Sequence, residues 1–254
     1  MYVGKILLTH HKPVDKDVAS DVINFLLGAL RMNGQVCGRE FPIAITPRGY
    51  AATCMLPEKT SLNANHHNRW VRECLQKIQE AGLEEPDCGV AEELDGAGAC
   101  DCEHPESYLL YTTHITLESP LRCGECFLPV PLYRIPPMRN EEYNDVISWQ
   151  SYYQACDTLQ MNCTPMERSA MRQLSRLDSG LSEHGLALCR QIKELTRIPT
   201  YYYLYRYGAR SRRQEQKRLC PSCEREWLLP TPWHIFDFRC DHCHLASNLA
   251  WSAQ

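Results

Sequence analysis

The 254-residue chain lacks the short motifs that mark the commonest catalytic sites. There is no G-x-x-x-x-G-K-[ST] phosphate loop, no G-x-G-x-x-G turn, no H-E-x-x-H helix and no G-x-S-x-G elbow. Those absences argue against P-loop nucleotide hydrolysis, dinucleotide binding of the Rossmann type, zinc proteolysis and α/β-hydrolase chemistry. His10-His11 and His66-His67 are adjacent pairs, without the i,i+4 spacing that puts two imidazoles on one helix face. No apolar run approaches the ~20 residues of a membrane-spanning helix. The apolar stretch after Met1 is too short for a secretory leader and lacks a small-residue cleavage site. The expectation is a cytoplasmic protein that binds rather than catalyses. Net charge is only −4, so no overall excess of one sign points to a partner.

Cysteine is abundant. There are fifteen, an odd number, and in a reducing compartment most are expected to be free thiols or metal ligands. Four stand out: Cys220-Pro221-Ser222-Cys223, a gap of sixteen residues, then Cys240-Asp241-His242-Cys243. This C-x₂-C…C-x₂-C spacing is that of a tetrahedral thiolate zinc site, each pair forming a knuckle that aims two sulfurs at one point. Trp227–Leu229 and Phe236–Phe238 read as the strands between the knuckles, with Pro230 and Pro232 in the turn. A zinc ribbon of roughly 35–40 residues has too little apolar core of its own, so the metal is expected to supply part of its stability. A second pair, Cys123-Gly124-Glu125-Cys126, has Cys100, Cys102 and His104 as its nearest candidate partners. It could be half of a second zinc site, a redox pair or a structural turn. The reading taken is a turn with reduced thiols and no four-ligand site, because the other ligands lie in an acidic segment costly to order.

Charge is unevenly spread. Leu83 to Glu106 holds nine acidic residues and neither Lys nor Arg, and is expected to be largely a surface loop. Arg206, Arg210, Arg212, Arg213, Lys217 and Arg218 face only Glu215 in a short arm leading into the ribbon. A basic arm beside a zinc ribbon suits a polyanion. Just before it, Tyr201-Tyr202-Tyr203-Leu204-Tyr205-Arg206-Tyr207 reads as a strand. Strand alternation would put Tyr203 and Tyr205 on one face, as a stacking platform for unpaired bases or as core.

The first 125 residues read strand (Val3–Thr9), helix (Asp15–Asn33), strands (Phe41–Thr46, Tyr50–Leu56), helix (Ala64–Ala81), strand (Cys88–Leu94 or Tyr108–Leu117). That order is the one found in a ferredoxin-like α+β sandwich. The middle is helical: Asn140 is a candidate cap, Thr164-Pro165-Met166-Glu167 a capping box, and the stretch from Ala170 to Leu195 one helix, a helix-turn-helix with Ser182–Thr196 as its second helix, or a plain helical hairpin. The expected organisation is α+β: residues 1–137 ferredoxin-like with the C-x₂-C hairpin, 138–198 helical, 199–254 tyrosine strand, basic arm and ribbon.

Leu121–Cys126, Cys156–Cys163, the run from Pro199 to Arg206 and the Cys220–Asn248 ribbon together resemble a bacterial family. That family is described as zinc-ribbon-containing, with nucleic-acid binding suggested and no activity established. The resemblance implies a zinc site and adds little on mechanism. The expected function is therefore nucleic-acid binding, to RNA or DNA, through the basic arm and tyrosine strand, with zinc held by Cys220, Cys223, Cys240 and Cys243. The alternative is a protein-interaction module with the ribbon as staple, in which the acidic segment docks a basic partner, as an immunity protein neutralises a nuclease toxin.

Overall fold

The structure is a computed structural model and describes residues 1–95, 98–162 and 165–253. The chain divides into two compact units, 1–101 with 117–119 and 128–144, and 102–116 with 120–127 and 145–254. No helix among the described residues is long and apolar enough to cross a membrane.

In the first unit the chain runs β1 (Tyr2–Thr9), α1 (Lys16–Met32), β2 (Ile43–Thr46), β3 (Gly49–Leu56), α2 (Arg69–Glu80) and β4 (Asp87–Glu93). Strand order is β2-β3-β1-β4 and every neighbouring pair is antiparallel. This is the ferredoxin-like arrangement that the element order predicts. Both helices begin and end where local chemistry dictates. Asp15 accepts from the amides of Asp17 and Val18 at 3.0 and 3.1 Å, and Asn68 accepts from that of Val71 at 3.0 Å. Gly34 and Gly82 sit at φ +72° and +86° just past the helices. The amides of Gln35 and Leu83 reach back to Leu30 and Ile78, and those of Gly34 and Gly82 to Arg31 and Gln79, a double closure that needs a residue in the left-handed region. Ala64–His66 is a separate 3₁₀ turn, so α2 starts at its Asn68 cap, later than expected.

The apolar stripe Ile23, Leu26, Leu27 and Leu30 of α1 packs with Val71 and Ile78 of α2 on the Ile6, Leu8, Ala52 and Leu56 face of the sheet. Each fully buried aliphatic side chain contributes about 1.5–3 kcal/mol. The acidic segment is in part strand. Asp87–Glu93 pairs with β1 as the outer strand β4, all seven residues exposed.

The second unit contains β5 (Tyr108–Leu110), β6 (Leu121–Cys123), α3 (Asn144–Met161), α4 (Glu167–Ser175), α5 (Gly180–Thr196), β7 (Thr200–Tyr203), α6 (Arg212–Gln216), β8 (Leu228–Trp233), β9 (Phe236–Cys240) and β10 (Leu245–Ser247). Its sheet runs β6-β5-β7-β10-β9-β8, with β7 parallel to both β5 and β10. The expected three-way division is therefore corrected. The C-x₂-C hairpin and the ribbon both join the tyrosine strand in one sheet, under α5, instead of forming parts of separate domains. α3 begins at Asn144, and Asn140 does not cap it; Asn140 stands at φ 59° with its carbonyl accepting from Trp70 Nε1 at 2.9 Å. Of the expected capping box, Thr164 lies outside the described residues, as does Cys163.

α5 is a core helix. Leu181, Ser182, Gly185, Leu188, Cys189 and Ile192 are buried, and Cys189 Sγ donates to Tyr201 O at 3.4 Å. Gly185 has no room for a side chain: a Cβ there would lie 2.2 Å from the Tyr202 ring and 2.7 Å from Trp149 Nε1. Its packed face is thus spent on the sheet.

Candidate metal centres and basic cleft

The sulfurs of Cys220, Cys223, Cys240 and Cys243 all lie within 4.8 Å of one another. Cys223 Sγ and Cys240 Sγ are 3.7 Å apart. A tetrahedron with Zn–S bonds of about 2.3 Å has edges of about 3.8 Å, so this donor set fits that ion. The knuckles owe their shape to the backbone. Cys220 N donates to Arg225 O and Glu224 N to Cys220 O, both at 2.9 Å, closing the first loop. Glu224 and His244, each directly after a second cysteine, stand at φ 58° and 52°. The left-handed region favours glycine there, and a side chain in it costs about 1–2 kcal/mol. Glu224→Gly is therefore expected to raise stability by ~0.5–1 kcal/mol, read as a higher urea midpoint. A lower midpoint would show that the Glu224 side chain itself holds the knuckle.

Burial raises the thiol pKa of Cys220, Cys240 and Cys243. Cys223 is the opposite case: the Arg225 amide donates to it and lowers its pKa to about 7. Pro230 and Pro232 lie within β8 and not in the turn, a correction to the expected ribbon. β8 is an edge strand, where a missing amide N–H breaks no ladder. The turn instead joins Trp233 to Phe236, with His234 at φ 56°. Nor is the ribbon a free-standing module. Tyr202 N donates to His244 O and Leu204 N to Ala246 O, both at 2.9 Å, so β10 is stitched to β7.

A second four-cysteine cluster, Cys100, Cys102, Cys123 and Cys126, meets the same proximity. This overturns the expectation that Cys123 and Cys126 lack a four-ligand site. The ligand segment is not a loose loop. Cys100 is 2% exposed, its amide donates to Pro129 O at 2.9 Å, and its carbonyl accepts from Arg134 Nη1. Those bonds offset the ordering cost. His104 is not part of the cluster. The Cys123 knuckle repeats the ribbon's backbone: Phe127 N donates to Cys123 O at 3.0 Å, and Phe127 stands at φ 62°. Gly124 is required, since a Cβ would lie 1.9 Å from Ser107 Oγ. Its carbonyl accepts from Trp233 Nε1 at 2.8 Å and His234 Nε2 at 2.7 Å, tying this knuckle to the ribbon turn. Cys-x-Cys followed by C-x₂-C was the available signal for this site; only the fold brings the two halves together.

The tyrosine strand is not a surface platform. Tyr201, Tyr202, Tyr203 and Leu204 are all buried. Tyr203 packs on Tyr111 and Phe236 at centroid distances of 5.2 and 5.1 Å, and its hydroxyl donates to Asn248 Oδ1 at 3.0 Å. Tyr203 is thereby removed from the candidate base contacts. Tyr205 is half-buried, burial pushing its phenol up to about 12, while Tyr207 is exposed.

The basic arm divides in two. Glu215 is 2% exposed and holds both Arg206, at 3.2 Å, and Arg218, at 2.8 Å. Arg218 also donates to Ser247 Oγ and Asn248 O at 3.2 Å and lies over Trp227 and Phe238, 4.7 and 4.2 Å from the ring centroids. Burial lowers its pKa to about 10. The expected role of Arg206 and Arg218 as free surface cations is corrected: they clamp α6 onto the ribbon strands. Arg210, Arg212, Arg213 and Lys217 are exposed or nearly so, and none has a carboxylate partner within bridging distance among the described residues. Behind them is a cleft of about 550 Å³ whose walls include Arg206, Arg210, Lys217 and Arg218.

Comparison with known proteins places models of three families along the chain: Domain of unknown function (DUF8589) on residues 1–92, Domain of unknown function (DUF2310) on 102–205, and Domain of unknown function (DUF8594) on 209–253. The first matches the ferredoxin-like sheet and the third the arm and ribbon. An "Uncharacterized protein" of Haemophilus influenzae is 37% identical over 241 residues, 92% of each chain. Another from the same organism is 41% identical over 166 residues, 64% of this chain and 81% of its own. A solved Deinococcus radiodurans protein assigned to antibiotic biosynthesis monooxygenases covers 39% of this chain and 99% of its own, at 10% identity and a TM-score of 0.28. That likeness is too weak to bear on the fold, which rests here on strand order and register. With 37% identity across 92% of both chains, this protein belongs to the family of the first Haemophilus influenzae relative.

Proposed function

We propose that this chain is a two-zinc protein that binds nucleic acid through the exposed part of its basic arm. Two sets of four thiolates are donors suited to zinc, and each would fill every coordination position, so the metal would brace the fold and activate no water. The role is therefore binding, not catalysis. One observation carries the reading. Buried Glu215 anchors α6 on the ribbon, which leaves Arg210, Arg212, Arg213 and Lys217 displayed, without acid partners among the described residues, on a frame that a bound metal would stiffen. The acidic segment lends less support to a protein partner. Its strand β4 is an outer strand, where charge guards against edge-to-edge pairing.

Binding of the zinc-loaded protein to single-stranded RNA or DNA, followed by fluorescence anisotropy, should be sequence-tolerant and salt-sensitive. Four phosphate contacts at roughly 0.7 each give a log–log salt slope near −3. Replacing Arg210, Arg212 and Arg213 by alanine should flatten that slope by about two units. No binding at low salt by intact, zinc-loaded protein would end this reading.

A further inference from the structure

The cleft behind the arm has a composition of its own. Arg206, Arg210, Lys217 and Arg218 line it against a single acid, Glu215, so the walls carry four positive charges and one negative, net +3. Its lining contains no aromatic residue, so it offers nothing for a base to stack on. Its volume, about 550 Å³, lies in the range of small-ligand sites, roughly 300–1,000 Å³.

The walls are also set in advance. Asn248 takes the Arg206 amide at 2.8 Å and returns a bond to the Arg206 carbonyl at 2.7 Å. Ser252 Oγ accepts from Ala209 N at 2.8 Å, and Ser252 N donates to Tyr207 O at 3.1 Å. Glu215 fixes two of the guanidiniums through their Nε and Nη2 atoms, except that Arg218 Nη2 goes to Ser247 and Asn248. Nη1 of each arginine has no partner among the described residues. Gly208 and Ala209 keep one wall free of bulky side chains.

We propose that this cleft is a phosphate-monoester site. A phosphodiester inside a strand carries one charge and is served by any exposed cation of the arm, such as Arg212 or Arg213 outside the cleft. A monoester carries about 1.5 to 2 negative charges at neutral pH and three terminal oxygens. Such a group suits an open cleft of net charge +3 with forked donors. The monoester has two sources, the phosphorylated end of a nucleic-acid strand and a free nucleotide. The first rests on the proposed nucleic-acid function and gives the protein a preference for strand ends.

The test uses the full zinc-loaded chain. Anisotropy compares otherwise identical oligonucleotides bearing a 5′-phosphate, a 3′-phosphate or only hydroxyl ends. Calorimetry measures a nucleoside 5′-monophosphate and inorganic phosphate. The expected result is that one phosphorylated strand binds about tenfold tighter than the hydroxyl-ended strand, the effect of one or two added charge-assisted hydrogen bonds. Lys217→Ala, at an exposed position, should erase that preference while zinc content and hydrogen-exchange protection stay unchanged. Equal affinity for all three strands, with no binding of the monophosphate, overturns the inference and leaves nucleic-acid binding standing. If the monophosphate binds in a Lys217-dependent way and no strand binds, the monoester site stands, its source is a free nucleotide, and the nucleic-acid reading falls. No binding by any of these probes overturns both.

Discussion

Cys223→Ser is expected to halve the zinc content, from two ions per chain to one, and to loosen β7 together with β9 and β10 instead of the ribbon alone. A structural zinc contributes roughly 10–16 kcal/mol of binding free energy, as much as the whole stability of a typical domain, about 5–15 kcal/mol. Its loss cannot be contained within residues 220–248. Leu245 and Ala246 of β10 pair with Tyr202 and Tyr203, and β9 hangs on β10. When the knuckles release β10, the buried β7 loses a neighbour along its length, and Tyr203 loses its Asn248 partner. Elemental analysis reads the zinc and hydrogen exchange reads the spread. Amides of β7, β9 and β10 should lose protection together, while those of α1, β1 and β3 keep theirs. Protection lost only over 220–248 would mean that the ribbon folds independently. Zinc content near zero in the parent protein, purified without chelator, would remove the metal reading altogether.

Glu215→Gln is expected to cost about 3 kcal/mol. Its side chain is 2% exposed and faces two guanidiniums, one on Arg218 at 16% exposure and one on Arg206 at 40%. Taking one partner from a buried ion pair typically costs about 3–5 kcal/mol, because the remaining charge is left desolvated. Arg206 is partly open to water, which screens its share and argues for the lower end. The measurement is a urea titration that follows Trp227, under Arg218 in the ribbon, by fluorescence. A shift below about 0.5 kcal/mol would place Glu215 among ordinary surface acids. A second variant separates charge from shape. Glu215→Leu with Arg218→Met replaces the buried pair by apolar groups and should recover most of the loss, since such replacements are often neutral. Failure of the double variant to recover would point to the Arg218 bonds with Ser247 and Asn248, not to the ion pair.

Elements whose signals are local were legible from residue types and spacing alone. The helices of the first unit end at Gly34 and Gly82 because the closing hydrogen bonds need a left-handed residue, whatever else surrounds them. The helical period of α1 was legible but its buried side was not: Val18, Val22, Phe25, Leu26 and Ala29 suggest a stripe, yet Val18 and Phe25 are exposed while Ala19, Ile23, Leu27 and Leu30 are buried with Leu26, because the sheet decides which side faces the core. The ribbon cysteines were readable because a C-x₂-C knuckle is complete within a few residues, and only the distance between two knuckles remains open.

Tertiary structure alone decided the rest, and each case depends on which distant segments share a sheet. Alternation put Tyr203 and Tyr205 on one face and left open whether that face is a platform or core; β7 lies between β5 and β10 with α5 packed on it, so both faces are core. Six basic residues looked equivalent along the arm, but one buried carboxylate, Glu215, divides them into clamps and displayed cations. Spacing named Cys100 and Cys102 as candidate partners of Cys123 and Cys126 but made their segment look costly to order; only the structure shows Cys100 pinned by Pro129 and Arg134. Periodicity reports how a segment is buried, and spacing reports what a turn can bring together. Neither reports the partner that a folded chain supplies from far along its length, and in this protein that partner determines which tyrosines are core, which arginines are free and how many metals the cysteines can hold.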